Sequence, residues 1–280
     1  LYAGGIGGWV KGNIKICSNE VNISLSNINV KNSYVGGICG RLGVRRVNYI
    51  LAGCTNSGNI SLTANPNDEY GNAQVGGIAG ELNAYAKIDS CYNSGKVNLY
   101  LTGFGTAQYG GITNVAGTQN AVNVNNCFST GIVSGGVDPT IGGCTLCGGA
   151  VIGRFGGQEA YYPTNCAYLE SAYTGAGMSD GKGQPIADAT SGISAKTADE
   201  LKSTEFLAAL NNAAPITDYT VTWIAGADGY PTISDIQDAV GIKSFTVAGV
   251  AATIDQKAHT ITAELPAGTD LTTLAPTIVC

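Results

Sequence analysis

The sequence contains few charged residues and almost no histidine or methionine. Only 12% of its 280 residues are charged, and it has one histidine and one methionine. The single histidine, His259, leaves a zinc site without enough ligands, so no metal and no other cofactor is expected. No apolar run reaches the length that spans a bilayer, so no membrane span is expected in this segment.

The few charges are distributed unevenly along the chain. Residues 1–170 carry eight acidic and nine basic residues, whereas residues 171–280 carry twelve acidic and five basic residues. Neither part has the basic stripe that contacts nucleic-acid phosphates, so nucleic acid is not expected as a partner. Glycine-rich strings occur, but none ends in the Gly-Lys-Ser/Thr of a phosphate-binding loop. The chain begins at Leu1 without a signal peptide, and we expect any targeting signal or anchor to lie outside this segment.

Glycine, in contrast, is abundant and recurs in a regular pattern. The chain has 41 glycines. Gly-Gly pairs followed by an apolar residue begin at Gly4, Gly36, Gly76, Gly110 and Gly148. A cysteine follows each pair, at Cys17, Cys54, Cys91, Cys127 and Cys166. Both markers recur about every 37 residues, which is typical of a repeat architecture.

Each repeat has the pattern of a strand, a glycine turn and a second strand. Such a unit cannot bury its apolar side alone, so the repeats are expected to stack. The sequence therefore predicts a mainly β protein with a parallel β-helix-like β-solenoid of about five coils. The five cysteines are expected to form an inward row of small apolar thiols. Two positions further on, Asn19, Asn56 and Asn93 are expected to form a ladder in a turn.

Four short strings resemble GLUG-type repeats. They are VGGICG at residues 35–40, CTNSG at 54–58, VGGIAG at 75–80 and CYNSG at 91–95. That family is found in large secreted or wall-attached bacterial proteins, including the non-catalytic region of some immunoglobulin A metallopeptidases. The resemblance covers residues 1–170. It implies a structural repeat without catalytic content and an extracellular location, either secreted or at the bacterial cell surface.

Residues 171–240 have the composition of a small α+β capping segment. One helix is predicted over 197–212, with Thr197 as N-cap and Glu200 three residues later in a capping box. Two short strands are expected near Trp223 and Tyr230. We expect this segment to close the last coil, because an open solenoid end exposes a sheet edge.

The last segment, residues 241–280, has a different residue pattern. Apolar residues alternate with polar ones from Phe245 to Ile278, with a turn near Gly268. The pattern resembles the opening of an immunoglobulin-like β-sandwich from bacterial surface proteins. Because such a domain needs about 100 residues, the sequence predicts an incomplete sandwich.

Aromatic and basic residues mark a candidate ligand surface. Tyr92 and Phe128 directly follow ladder cysteines, so they would face outward one coil apart and contact a partner. Packing beneath the cap is the alternative for these rings. The remaining candidates are Tyr161 and Tyr162 near the last coil and the basic cluster of Arg41, Arg45 and Arg46, whose alternative is a solvated turn.

Catalysis would require carboxylates that converge on one wall of the solenoid. The acids of residues 1–170 are Glu20, Asp68, Glu69, Glu81, Asp89, Asp138, Glu159 and Glu170. Few of them occupy equivalent repeat positions, so no enzymatic activity is expected. Cys144 and Cys147 are expected to be buried thiols or to form a local disulfide.

Repeat scaffolds form extended binding surfaces because each coil adds area without altering the fold. We therefore expect an extracellular repeat protein that acts as an adhesin, a binding module or a display scaffold. Its expected partner is a host or neighbouring-cell protein or glycan, or a further copy of the chain. Three alternatives stay open: a non-catalytic arm of a larger secreted peptidase or glycosidase, a self-assembling filament or coat subunit, and a β-helix enzyme that degrades polysaccharides.

Overall fold

The computed structural model describes residues 1–44, 46–66, 70–115, 117, 123–234, 244–255, 260–269 and 277–279. The chain divides into two compact units, residues 1–233 and residues 234–280. The first unit contains both the predicted solenoid and most of the predicted capping segment. No described helix is long and apolar enough to cross a membrane.

Short strands that recur in the same order form the coils. The first coil contains β1 (Tyr2–Gly4), β2 (Gly7–Val10), β3 (Ile14–Lys15), β4 (Ser18–Asn19) and β5 (Ile23–Ile28). The second contains β6 (Asn32–Gly36), β7 (Cys39–Leu42), β8 (Ile50–Ala52), β9 (Thr55–Asn56) and β10 (Ile60–Ala64). The third contains β11 (Asn72–Gly76), β12 (Ala79–Leu82), β13 (Lys87–Asp89), β14 (Tyr92–Asn93) and β15 (Val97–Leu101).

The last coils follow the same order. The fourth contains β16 (Thr106–Gly110), β17 (Thr113–Val115), β18 (Val124–Asn125), β19 (Phe128–Ser129) and β20 (Val133–Val137). The fifth contains β21 (Thr145–Gly149), β22 (Ile152–Phe155) and β23 (Cys166–Leu169), with 3-10 helices at Glu159–Tyr161 and Glu170–Ala172. Within the described residues the fifth coil has no strand equivalent to β3 or β5, and only an isolated bridge between Asn125 and Thr164 continues the third wall. Four coils are thus complete, one fewer than the number predicted.

Equivalent strands of successive coils pair in parallel and form five walls. The first wall has the order β1-β6-β11-β16-β21, and the second begins β2-β7-β12-β17-β22. The third, fourth and fifth walls continue this rule from β3, β4 and β5. The predicted β-solenoid is therefore confirmed.

Two hydrophobic cores run through the stacked coils. One lies behind the second, third and fourth walls and includes Ile38, Leu51, Ile88 and Cys91. The other lies behind the first and fifth walls and includes Val35, Leu62, Val75 and Leu99. Because side chains alternate along a strand, the strand neighbours of Leu62, Val75 and Leu99 face away from the cores.

Two backbone features explain the small and polar residues at the turns. A Cβ on Gly95 would lie 2.0 Å from the carbonyl oxygen of Gly58 in the coil before, so only glycine fits there. A column of left-handed residues directly precedes the ladder cysteines: Ile16, Gly53, Ser90, Asn126 and Asn165. Asparagine and glycine adopt this conformation at low cost, which accounts for three of the five.

The Gly-Gly register predicted for the fifth coil is wrong by one residue. Gly110 pairs with Gly149 and not with Gly148. Gly148 lies beside Tyr109, whose ring carbon Cζ is 2.3 Å from the position that a Cβ on Gly148 would take. The Tyr109 ring occupies the space that a side chain at position 148 would need. Gly148 is therefore required because of this ring and not as the first glycine of the repeated pair.

The residues after the fifth coil continue two walls before they turn away. This segment contains β24 (Met178–Ser179), β25 (Pro185–Ile186), α1 (Asp188–Ser191), β26 (Ile193–Lys196), α2 (Ala198–Leu201), α3 (Thr204–Asn212), β27 (Trp223–Ala225) and β28 (Pro231–Ile233). β24 extends the second wall and β26 extends the fourth. β27 and β28 form an antiparallel pair.

The single helix predicted over 197–212 is divided in two. The capping box of Thr197 and Glu200 is present and begins α2. Ser203, however, is extended at φ −71° and ψ 154°, and its hydroxyl accepts a hydrogen bond from the Phe206 amide. Ser203 is thus an N-cap inside the predicted helix, and it starts α3 in a new direction.

The segment between α3 and β27, residues 213–222, forms a strap along the third wall. Asn211 fastens its two ends, because its side chain exchanges two hydrogen bonds with the backbone of Trp223 at 2.8 and 2.9 Å. Ala214 accepts from Asn125 of the fourth coil, and the Tyr219 ring lies 4.7 Å from Lys15 Nζ of the first. The predicted cap therefore covers side walls in addition to extending the last coil.

The second unit consists of short antiparallel strands. They are β29 (Ser244–Val247), β30 (Val250–Ala251), β31 (Thr253–Asp255), β32 (Thr260–Thr262) and β33 (Thr277–Val279). β29 pairs with both β30 and β33, and β31 pairs with β32. His259 and Cys280 lie outside the described residues.

Candidate ligand-binding groove

Side chains that face away from both cores meet between the first two walls. Tyr2, Tyr34 and Gln74 follow one another in register along the first wall. Along the second wall the same positions carry Trp9, Arg41 and Glu81. We call these six residues the inter-wall groove.

Aromatic rings form the end of the groove in the first two coils. The Tyr2 ring stacks on the Tyr34 ring at 5.1 Å and on the Trp9 ring at 5.2 Å, with interplanar angles of 6° and 24°. Trp9 Nε1 donates to the Gly43 carbonyl at 3.0 Å, which fixes the indole ring. Trp9 is 42% exposed and Tyr2 is 37% exposed, whereas Tyr34 is buried. The stack therefore presents aromatic surface to solvent while it is held from beneath.

Charged groups surround this stack. Arg41 Nε lies 2.7 Å from Glu81 Oε1, and Arg41 Cζ lies 5.3 Å from the Tyr34 ring and 5.5 Å from the Trp9 ring. Lys11 Nζ lies 4.4 Å from the centre of the Trp9 ring. All three distances from a cation to an aromatic ring are in the range of cation–π interactions.

A buried carboxylate holds the arginine in place. Glu81 is 4% exposed, and its Oε2 accepts a hydrogen bond from Gln74 Nε2 at 2.8 Å. Burial raises the pKa of Glu81, although Arg41 and Gln74 act in the opposite direction. Burial and the nearby Glu81 carboxylate raise the pKa of Tyr34 to about 12. Arg41 is thus oriented by Glu81 on one side and by two aromatic rings on the other.

In the fourth coil the space between the first two walls is filled by polar side chains. Asn114 Nδ2 donates to the carbonyls of Val75 and Gly80 at 3.0 and 2.8 Å, and Gln108 is buried beside it. The accessible part of the groove is therefore confined to the first two coils. An exposed aromatic platform with flanking cations can stack on an apolar ring face and pair with polar or anionic groups of the same ligand.

The ladder residues of the sequence analysis lie in register. Cys54, Cys91, Cys127 and Cys166 are buried, and Cys17 is half-buried at the start of the row. The Cys54 amide donates to Cys91 Sγ at 3.4 Å, and the Cys91 amide donates to Cys127 Sγ at 3.3 Å. The Asn ladder runs parallel to it, with Nδ2 to Oδ1 distances of 2.7 Å from Asn19 to Asn56 and from Asn56 to Asn93.

The expectation that Tyr92 and Phe128 form an exposed surface is wrong. Their rings stack at 4.2 Å, but Phe128 is fully buried and Tyr92 is 9% exposed. Phe206 of α3 packs edge-on against Phe128 at 5.4 Å, and Trp223 packs against it at 5.5 Å. The rings do face away from the core, and the chain returns to cover them, as in the alternative considered above.

The other candidate residues do not form one surface. Tyr161 and Tyr162 are half-buried, and the Tyr162 ring packs against Phe155 at 5.3 Å. Arg41 belongs to the groove, and Arg46 is exposed in a turn with a positive φ of 65°. Arg45 lies outside the described residues. Cys144 and Cys147 are both free thiols and are not joined by a disulfide.

Sequence reasoning missed most of the groove, although a signal was present. Trp9, Arg41 and Glu81 each stand five residues after the first glycine of a Gly-Gly pair. Tyr2 and Tyr34 each stand two residues before it. A search for equivalent positions regardless of residue type would have brought these side chains together.

A hollow lies at the last rungs of the fourth wall. It has a volume of about 830 Å³ and lies between β23 and β26 on one side and the two helices on the other, with Lys196, Asp199, Glu200 and Phe206 in its lining. Among the described residues no cluster of three or more His, Cys, Asp or Glu side chains has metal-binding geometry.

Comparison with known proteins gives a match for one segment of the chain. Residues 242–280 match the family model described as SGBP, N-terminal. The family is one of surface-associated glycan-binding proteins. No curated protein and no solved structure matches the chain. The GLUG-type resemblance of residues 1–170 and the immunoglobulin-like resemblance of residues 241–280 stay predictions.

Proposed function

We propose that this chain is a non-catalytic, glycan-binding part of a bacterial protein that is secreted or held at the cell surface. The observation that carries the proposal is the stacked pair of Tyr2 and Trp9, which is half-exposed and has cations beside it. The match of residues 242–280 to the SGBP N-terminal family supports a glycan as the class of ligand. The solenoid supports the pair as a rigid scaffold.

The geometry of the pair suits a saccharide. Sugar rings have an apolar face of C–H groups that packs on an aromatic ring, and hydroxyl groups that require polar partners at its rim. Trp9 and Tyr2 provide the ring surface, and Arg41 and Lys11 provide donors next to it. Because Trp9 and Arg41 are fixed by Gly43 and Glu81, little side-chain entropy is lost when a ligand binds.

A glycan array with the purified chain tests the proposal. We expect the chain to bind at least one glycan, and Trp9→Ala to weaken that binding about tenfold or more, since aromatic anchors dominate small interfaces. Tyr100→Ala is the matched control, because Tyr100 is 38% exposed on the fifth wall and lies outside the groove. Thermal unfolding of both variants checks that the solenoid is intact.

Two outcomes would overturn the proposal. Binding to no glycan on the array would show that the ligand is not a glycan. Equal binding by the wild-type chain and Trp9→Ala would show that the glycan does not bind at the groove. The proposal that the chain is not an enzyme is tested separately, by incubating it with the glycans that bind. Release of new reducing ends during incubation would show that the chain is an enzyme.

A further inference from the structure

The basic residues of the solenoid are concentrated in the part of the sequence that contains most of the groove. Residues 1–50 contain six Lys or Arg and one acidic residue, Glu20, although the whole chain has a net charge of −6. The remaining 230 residues carry eight basic and nineteen acidic side chains. The first 50 residues thus carry an excess of positive charge within an acidic chain, and such a local excess attracts anions.

Within the groove the negative charge of Glu81 is already neutralised by Arg41. Glu81 is buried, and Arg41 forms its ion pair. Lys11 is exposed, and its ammonium group lies over the Trp9 ring. Among the described residues no carboxylate forms an ion pair with Lys11. The accessible rim of the aromatic platform therefore has a positive charge that a ligand can neutralise.

A neutral sugar would use this rim poorly. It would stack on Trp9 but would displace or desolvate the Lys11 ammonium group without offering a charge in return. A sugar with an anionic substituent would keep the ring stacking and add a charge-assisted hydrogen bond. The arrangement of ring and cation therefore favours an acidic saccharide.

We propose that the inter-wall groove binds an anionic saccharide, with the sugar ring on Trp9 and Tyr2 and the anionic group on Lys11. This inference rests on the proposed glycan-binding function and specifies its ligand class. A carboxylate, as in a uronic acid, and a sulfate ester provide the same chemistry. Glu81 positions Arg41 and does not face the ligand, since it is buried.

Isothermal titration with two matched pairs of oligosaccharides tests the inference. The first pair is an oligogalacturonate and its fully methyl-esterified form, and the second is a dextran sulfate oligosaccharide and unmodified dextran of the same length. We expect at least one acidic member to bind up to about fivefold more tightly than its neutral partner, because about fivefold is the upper range for one exposed charge pair. The pair that shows the difference identifies the anionic group as carboxylate or sulfate.

Two lysine variants locate the preference. Lys11→Gln should reduce the ratio between acidic and neutral binding to near one. Lys96→Gln is the matched control, because Lys96 is an exposed lysine just before the fifth-wall strand β15. It makes the same change in net charge and should leave the ratio unaltered. An equal loss in both variants would overturn the assignment to Lys11.

The remaining outcomes separate this inference from the proposed function. Equal binding of acidic and neutral members overturns the anionic preference and leaves glycan binding intact. Failure of all four probes overturns the anionic preference, and the glycan array then decides whether glycan binding falls with it. Equally tight binding of a single-stranded oligothymidylate, weakened in the same way by Lys11→Gln, would show a general polyanion site and would also overturn the inference.

Discussion

The backbone amide of Ile216 donates a hydrogen bond to Asp89 Oδ2 at 2.8 Å, across 127 residues of sequence. The carbonyl oxygen of the same residue accepts from Lys87 Nζ at 2.9 Å. Asp89 and Lys87 lie two residues apart on β13, so one strand of the third wall holds both polar groups of one strap residue. The strap thus depends on side chains of the solenoid and not on a backbone ladder.

Removal of the Asp89 carboxylate should release the strap. Asp89 is fully buried and also accepts from Thr217 Oγ1 and Asn125 Nδ2. In Asp89→Ala we expect the Ile216 amide to exchange its hydrogen about tenfold faster or more, because a charge-assisted hydrogen bond is lost. Hydrogen–deuterium exchange measured by mass spectrometry reports this. Asp228→Ala, which removes an exposed aspartate from the same part of the chain, should leave the rate unchanged. Unchanged exchange in Asp89→Ala would contradict the role given to this carboxylate.

Two buried carboxyl groups should make the protein more stable in mild acid. Burial raises the pKa of Asp89 and of Glu81, in spite of opposing hydrogen bonds and, for Glu81, of Arg41. Between the ordinary carboxyl pKa and these raised values, the folded state holds protons that the unfolded chain has released. In that window the free energy of unfolding falls as the pH rises.

Denaturant unfolding at a series of pH values measures this dependence. Glu81→Gln and Asp89→Asn should each reduce the slope of unfolding free energy against pH in the window above the ordinary carboxyl pKa. Asp138→Asn is the control, because hydrogen bonds from Thr140 lower the pKa of this exposed group and its contribution is lost only below that window. A stability that rises with pH through the window, or one that is flat in the wild-type chain, would show that neither buried carboxyl group behaves in this way.

The repeats were predictable because the same side chains recur at the same place in each coil. The regular spacing of the cysteines and of the asparagines revealed the period of the repeat, and equivalent residues do lie in register. The groove was not found in this way, since Trp9, Arg41 and Glu81 occupy one position with three different chemistries. A ladder can be recognised because the same residue type recurs in each coil. A binding surface depends instead on residue types that differ between coils.

The errors at Phe128 and Ser203 have a common physical origin. The outward direction of Phe128 was derived correctly from the alternation of side chains along a strand. Its burial depends on Phe206 and Trp223, which are distant in sequence, and nothing local indicates that they return to this wall. The break at Ser203 directs α3 towards that wall. Local patterns predict the elements, but they do not predict which exposed face another segment will cover.

The asparagine ladder should contribute strongly to stability at its centre. Asn56 Nδ2 donates to the Gly58 carbonyl and to Asn93 Oδ1, and Asn56 Oδ1 accepts from Asn19. Asn56→Ala removes a hydrogen bond from each of these three buried residues, so the free energy of unfolding should fall by roughly 3 kcal/mol. Urea unfolding followed by tryptophan fluorescence measures the change. Asn98→Ala, at a half-buried position of the fifth wall, should cost less than about 1 kcal/mol. Equal effects of the two substitutions would argue against a ladder that acts as a unit.

The buried cysteines of the row should not react with thiol reagents while the protein is folded. Six of the eight described cysteines are buried, and Cys17 and Cys144 are half-buried, with no disulfide among the eight. Burial raises the pKa of Cys91, Cys127 and Cys166, and the hydrogen bond with Cys54 is the main cause that raises the pKa of Cys17.

Among the eight described cysteines, iodoacetamide should modify the half-buried Cys144 and Cys17 first and the six buried thiols only after unfolding, because reaction requires an accessible thiolate. Peptide mass spectrometry at successive times gives the order, and a sample in denaturant serves as the control in which all nine cysteines of the chain react. Modification of Cys91 or Cys127 as fast as Cys144 would mean that the row is accessible to solvent. It would then have to be treated as a reactive site and not as part of the core.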